Sequence, residues 1–213
     1  MFENFSIVLF LLLLIYYIIF LSGILRGLHK LKPSKMETVI DEYISVIIPF
    51  RNEKENILES LWSLENQNYP KDKYEVIYVN DLSEDDSLDK IKTGIKAGNI
   101  KVLSIPHDYS LRGHKKRAIS FGIQNSKGNI IVTTDADCIH HENWLRALLS
   151  CLSENTAFVS GPVEFGDDHS FLGKLQKTEF AGLVLTGAGL IGINKPTICN
   201  AANLAYRKKI YES

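Results

Sequence analysis

Four stretches of this chain are predominantly apolar, and each is followed by a segment that reads as helix. The strand-like runs are "YISVIIPF" (43–50), "YEVIYVN" (74–80), "IKVLSI" (100–105) and "NIIVTT" (129–134). The segments after them are "EKENILESLWSLENQ" (53–67), "DDSLDKIKTGIKAG" (85–98), "KKRAISFGIQNS" (115–126) and "ENWLRALLSCLSEN" (142–155). In the first of these, Ile57, Leu58, Leu61, Trp62 and Leu64 fall on one side of a helix. The second ends at a glycine, a common helix stop. Strands apolar on both faces and separated by helices predict an α/β fold, a mostly parallel sheet with helices flanking it.

Such sheets bind ligands at the carboxyl ends of their strands. The first run ends in "PFRNE", the second in "NDLSEDD" and the fourth in "TDAD", so three polar, largely acidic clusters gather on one edge. Their mutual repulsion calls for a cation or for donors on a ligand. Asp135 and Asp137 stand two residues apart, so in an extended segment both carboxylates share a face while Ala136 points away. Paired hard oxygens suit Mg²⁺ or Mn²⁺, which share the rest of their shell with water and substrate phosphates. Alternatively, Asp137 caps the helix that holds Trp144 and Leu145. His140 and His141 read as the entry to that helix, and Asp167 and Asp168 as a surface loop.

Ahead of the sheet, Phe5 to Leu25 carry no charge. At about 1.5 Å per residue they span a hydrocarbon core of roughly 30 Å, and no face of the segment is polar. Only Glu3 precedes the run and no small-residue cleavage site follows, which argues against a signal peptide. Arg26, Lys30, Lys32 and Lys35 lie after the span and no basic residue lies before it, which places the remainder of the chain in the cytoplasm. The expected layout is an anchor in the inner (plasma) membrane over 1–28, a linker over 29–42 and an enzyme domain over 43–213. Within the last, "AFVSGPVEF" reads as strand, and "AGLVLTGAGLIGI" (181–193) as a buried or interfacial helix too short to span. A formal net charge of −1 gives no footprint for nucleic acid. Cys138, Cys151 and Cys199 form no CxxC pair, so the sequence suggests neither a zinc site nor a disulfide framework and predicts buried free thiols.

Four motifs in order resemble the family 2 glycosyltransferases of GT-A fold. "ISVIIPFRNEKENI" looks like that family's first strand with its P-x-x-N-E turn. "YEVIYVNDLSEDDS" is similar to V-D-D-x-S-x-D-x-S, "TTDADC" with "NWL" to the D-x-D motif and its helix, and "CNAANLAYRK" to N-G-x-N-x-A-x-R-K. The resemblance implies metal-assisted, inverting transfer of a sugar from a nucleotide-sugar donor, with uridine as the nucleoside, to a lipid or saccharide acceptor of the cell envelope. It implies donor-binding roles for Pro49, Glu53, Asp81, Lys116 and Asp135, with Asp81 accepting the imide N–H of uracil. Asp137 and Asp135 would serve as catalytic metal ligands, and Asn200, Asn203 and Arg207 would lie on the acceptor side. "GHKKRAI" resembles a G-K-K-x-A-I stretch that faces the donor.

The chain departs from the pattern at His114, which stands where glycine precedes the lysines, at Asn80 for an aspartate, and at Leu82 and Ala201 for glycines. The family's general base, an aspartate downstream of the R-K segment, has no counterpart before Ser213, so the resemblance implies an N-terminal fragment. Other classes fit less well. A phosphohydrolase would place its aspartates on the first strand, and a nucleotidyltransferase needs a glycine-rich loop where this chain has "PFRNEKEN". A membrane-tethered binding module without transferase activity is the non-enzymatic alternative.

Overall fold

The computed structural model describes residues 2–31, 41–109, 113–153, 156–166 and 168–212. Most of the expected linker, with Lys32 and Lys35, lies outside them, as does Asp167. Helix α1 covers Phe2–Lys30, followed by β1 (Ile44–Phe50), α2 (Ile57–Glu65), β2 (Tyr74–Asn80) and α3 (Ser87–Gly94). Then come β3 (Ile100–Ser104), α4 (His114–Gln124), β4 (Ile130–Thr133), α5 (Trp144–Leu149) and β5 (Phe158–Ser160). The long α6 (Phe171–Gly192), β6 (Leu204–Arg207) and α7 (Lys208–Tyr211) complete the described chain. Contacts divide it into two compact units, residues 1–33 with 162–199, and residues 34–161 with 200–213.

The second unit is built on one six-stranded sheet in the order β3-β2-β1-β4-β6-β5. β1 to β4 are mutually parallel where they pair, and β6 runs antiparallel to both β4 and β5. Alternate residues of the strands enter two cores. Val46, Ile48, Tyr78 and Val132 pack with Leu61 of α2, Ile91 of α3 and Leu145 of α5, while Ile47, Ile77, Val79 and Ile131 pack with Ala118 and Ile123 of α4. Both faces are therefore covered, which is why the strands read as continuous apolar runs.

Several elements are shorter than their periodicity suggests. α2 begins at Ile57 because residues 53–56 form a turn in which Asn56 and Ile57 donate N–H bonds to the Glu53 carbonyl (3.1 and 3.0 Å). α5 stops at Leu149, and the chain leaves in turns bonded from Cys151 to Leu148 and from Leu152 to Leu149. This exit leaves Cys151 exposed; Cys199 is exposed too and Cys138 half-buried, which corrects the expectation of buried thiols.

In the first unit, α1 is the one described helix long and apolar enough to cross a membrane, over Asn4–Lys30 with mean hydropathy 2.8. The apolar stretch 181–193 is the carboxyl-terminal part of α6, a helix of 22 residues. Ser170 caps it, its hydroxyl accepting the Gly173 N–H at 2.9 Å, and the charged turns through Lys174, Lys177 and Glu179 propagate it.

Candidate active site

Strand register brings the three polar clusters to one edge. Phe50 lies opposite Asn80, the Asp81 N–H donates to the Phe50 carbonyl (2.9 Å), and the Thr134 N–H reaches the Ile47 carbonyl (3.3 Å). A cleft opens there, lined by Pro49, Phe50, Arg51 and Glu53 after β1, Asp81 after β2, His114, Lys115 and Ala118 on α4, and Asp135–Asp137 after β4. Five expected site residues, Pro49, Glu53, Asp81, Asp135 and Asp137, therefore converge.

The turns around the cleft are tied to one another. Asn52 takes a left-handed backbone (φ 58°), and its side-chain oxygen accepts the Glu84 N–H at 2.8 Å. In return Ser83, Asp85 and Ser87 accept the N–H groups of Asn52, Glu53 and Lys54 at 3.1, 3.2 and 2.7 Å, Ser87 pairing with Glu53 and Asp85 with Lys54. The alternating Ser-x-Asp-x-Ser thus serves as a clasp for the turn after β1. Burial would raise the Asp85 carboxyl, but hydrogen bonds from Ser87 and Lys54 hold it below the usual carboxylate range.

Each buried charge has an answer within the protein. The Asp81 side chain is 3% exposed; Arg117 donates to its Oδ1 through Nε (3.0 Å) and Nη2, and His114 Nδ1 lies 3.0 Å from its Oδ2. His114 in turn contacts Arg51 at 3.0 Å. Lys115 Nζ sits 2.5 Å from an Asp135 oxygen. Asp137 is exposed and, among the described residues, carries no ion pair.

The segment around the aspartates is a turn rather than the extended chain expected, with the Cys138 N–H bonded to the Asp135 carbonyl at 3.2 Å. Ala136 is nonetheless buried, and both carboxylates line the cleft. Asp137 does not cap α5, whose N-cap is Asn143. Among the described residues no three His, Cys, Asp or Glu side chains gather to hold a metal by themselves. Asp135 and Asp137 form a two-carboxylate set, which fits Mg²⁺ or Mn²⁺ completed by water and phosphate and does not fit a closed zinc site.

The basic side chains lining the cleft are Arg51 after β1 and His114 and Lys115 on α4, with Arg117 behind Asp81; Lys116 is exposed and outside the lining. Helical spacing held the signal, since the buried Ala118 shares its face with the residues three and four before it. Gly113, with φ 87°, supplies the left-handed start of α4 one position before His114. His140 stacks on Trp144 with ring centroids 3.8 Å apart, and its Nε2 lies 2.8 Å from the Thr134 hydroxyl. Burial pushes its imidazole down to about 4.

On the expected acceptor side, Asn200 caps a short turn by accepting the Ala202 N–H (2.9 Å), and the Thr133 hydroxyl donates to the Ala201 carbonyl (2.7 Å). Asn203 is buried, its Oδ1 accepting the Trp144 indole N–H at 3.0 Å. Ala201 needs no glycine conformation, whereas Leu82 takes φ 58° in place of one. Arg207 is not brought to this edge. Antiparallel pairing sets it opposite Ile130, at the start of β4, where it pairs with Glu42 at 2.5 Å.

Residues 45–213 match the family model described as Glycosyl transferase family 2. The chain belongs to that family. The glycosyltransferase AglE of Haloferax volcanii is 30% identical over 172 residues, covering 80% of this chain and 54% of AglE. The chain thus spans about half the length of that relative. A dolichyl N-acetyl-alpha-D-glucosaminyl phosphate 3-beta-D-2,3-diacetamido-2,3-dideoxy-beta-D-glucuronosyltransferase of Methanococcus voltae is 32% identical over 105 residues, 49% of this chain and 32% of that protein. Among solved structures, the mannosyltransferase PcManGT of Pyrobaculum calidifontis, in complex with GDP-Man and Mn²⁺, superposes with a TM-score of 0.67 at 22% identity. That likeness covers 91% of this family 2 chain and 53% of PcManGT, and identifies the fold as GT-A.

Proposed function

We propose that this family 2 chain takes part in metal-assisted, inverting transfer of a sugar from a UDP-sugar to a lipid or saccharide acceptor of the cell envelope. In this reading α1 anchors it in the plasma membrane with the sheet unit on the cytoplasmic side. The observation that carries the proposal is the convergence of Asp81, Asp135 and Asp137 on one cleft beside Lys115 and the first turn of α4.

Asp81 reads the nucleobase. Its carboxylate, oriented by Arg117, accepts the uracil imide N–H, a donor that cytosine lacks. Glu53 and Pro49 shape the nucleoside side of the cleft. Lys115, at the positive end of α4, offers an ammonium to the donor's diphosphate while orienting Asp135. Asp135 and the exposed Asp137 hold Mg²⁺ or Mn²⁺. Such an ion neutralises charge on the departing nucleoside diphosphate. PcManGT, whose fold this chain shares, is complexed with Mn²⁺ and GDP-Man, which supports a metal and a nucleotide-sugar donor and leaves the choice of uridine to Asp81; the turn at Asn200 and Asn203 borders the acceptor side.

The test is a comparison of nucleobases. UDP should bind about tenfold or more tightly than CDP, because cytosine would set an acceptor against the buried Asp81 carboxylate. Equal affinity for the two would remove Asp81 from the nucleobase and the uridine assignment with it.

A further inference from the structure

We propose that residues 180–193, the carboxyl-terminal half of α6 with its C-cap Ile193, form a second membrane-contacting element, lying in the lipid headgroup boundary against the basic end of the α1 span. The inference rests on the reading of α1 as a membrane span. α1 and α6 meet through glycines with almost no space between their backbones. A Cβ on Gly189 would stand 2.6 Å from the Ile24 carbonyl oxygen, and one on Gly27 or Gly192 would run into the facing helix backbone. This contact lies beside Arg26, His29 and Lys30, where the apolar part of α1 gives way to charge.

The helix that leaves this contact is not built to face water. "FAGLVLTGAGLIGI" carries no charged residue, and its outward positions include Leu183 and Leu185, 51% and 53% exposed. Ile15, Ile18 and Ile19 of α1 are exposed to a similar degree, so both helices present large apolar side chains outward. Fourteen residues rise about 21 Å, short of the roughly 30 Å core, so this half lies along the bilayer rather than across it. The preceding turns alternate exposed Phe171, Leu172 and Leu175 with Lys174 and Lys177, a pattern that sets aliphatic groups among acyl chains and ammonium groups among phosphates. Leu183 and Leu185, two residues apart, look out from different sides of the helix, and the occupant of that apolar surface is therefore lipid.

The protein reconstituted in phosphatidylcholine–phosphatidylglycerol vesicles that contain a diazirine-bearing acyl chain tests this by mass-spectrometric mapping of adducts. Adducts are expected both within 5–25 and within 180–193. Leu183→Asp with Leu185→Asp should remove the second set and leave the first. Adducts confined to 5–25 would overturn the proposal and leave the anchor standing, and would mean that a protein surface covers α6. Adducts within 180–193 but none within 5–25 would overturn the anchor and, with it, the placement of α6 against a membrane span.

Discussion

His140 illustrates how much a single side chain can be asked to do beside the aspartates. It closes the turn that begins at Thr134 and presents its ring to Trp144, whose indole N–H fixes Asn203. In the folded protein its imidazole titrates at about 4, against 6.5 when exposed. Between those values the unfolded chain binds the extra proton, so stability supplied above pH 6.5 is lost as the pH falls towards 4. The loss is at most about 3 kcal/mol. His140→Gln keeps a hydrogen-bonding group and removes the titration; its melting temperature should fall less across that window than the wild type's. Parallel curves would mean that burial of this ring is not linked to folding. Nothing in the local sequence distinguished His140 from a histidine entering a helix, because its spacing from Trp144, four residues on, does not show that the two rings stack or that the imidazole is partly buried. Asp81, Asp135 and Asp137 were legible because each ends an apolar run, and strand ends on one edge fix a residue's place without any knowledge of side-chain contacts.

At the scale of elements, α4 couples the fold to the cleft. Its inner face carries Gly122, where an added Cβ would stand 2.5 Å from Ile47 Cγ2 on β1. Its first turn carries His114, Lys115 and, one step on, Arg117. Overpacking at this contact costs about 1–3 kcal/mol, and it shifts the basic residues with the helix. Gly122→Val should therefore lower the melting temperature and weaken UDP binding together, whereas a variant at the exposed Lys116 should leave stability unchanged. Destabilisation of Gly122→Val with unaltered UDP affinity would show that α4 does not position the site. The parallel strands and their helices could be read from apolar continuity and helical spacing, since both faces of the sheet demand apolar residues. The direction of β6 could not. A short strand after a long insertion has the same composition whichever way it runs, and its reversal moves Arg207 to the edge remote from the aspartates.

For the whole molecule, the basic residues that follow α1 predict a sheet unit on the cytoplasmic side. Cys151 and Cys199 are exposed, so they report on topology without engineering. A membrane-impermeant maleimide applied to intact cells should label a cysteine introduced at position 2 and leave both native thiols unlabelled until the cells are permeabilised. Labelling of Cys151 in intact cells would reverse the orientation. The central claim, that two carboxylates at the end of β4 hold a metal for a nucleoside diphosphate, is tested most directly by calorimetric titration of UDP with and without Mn²⁺. Mn²⁺ should strengthen binding by about tenfold or more, ~1.4 kcal/mol, in the wild type. Asp137→Asn, which exchanges a hard anionic ligand for an amide of similar size, should abolish that increment while melting like the wild type. An undiminished Mn²⁺ effect in Asp137→Asn would contradict the account.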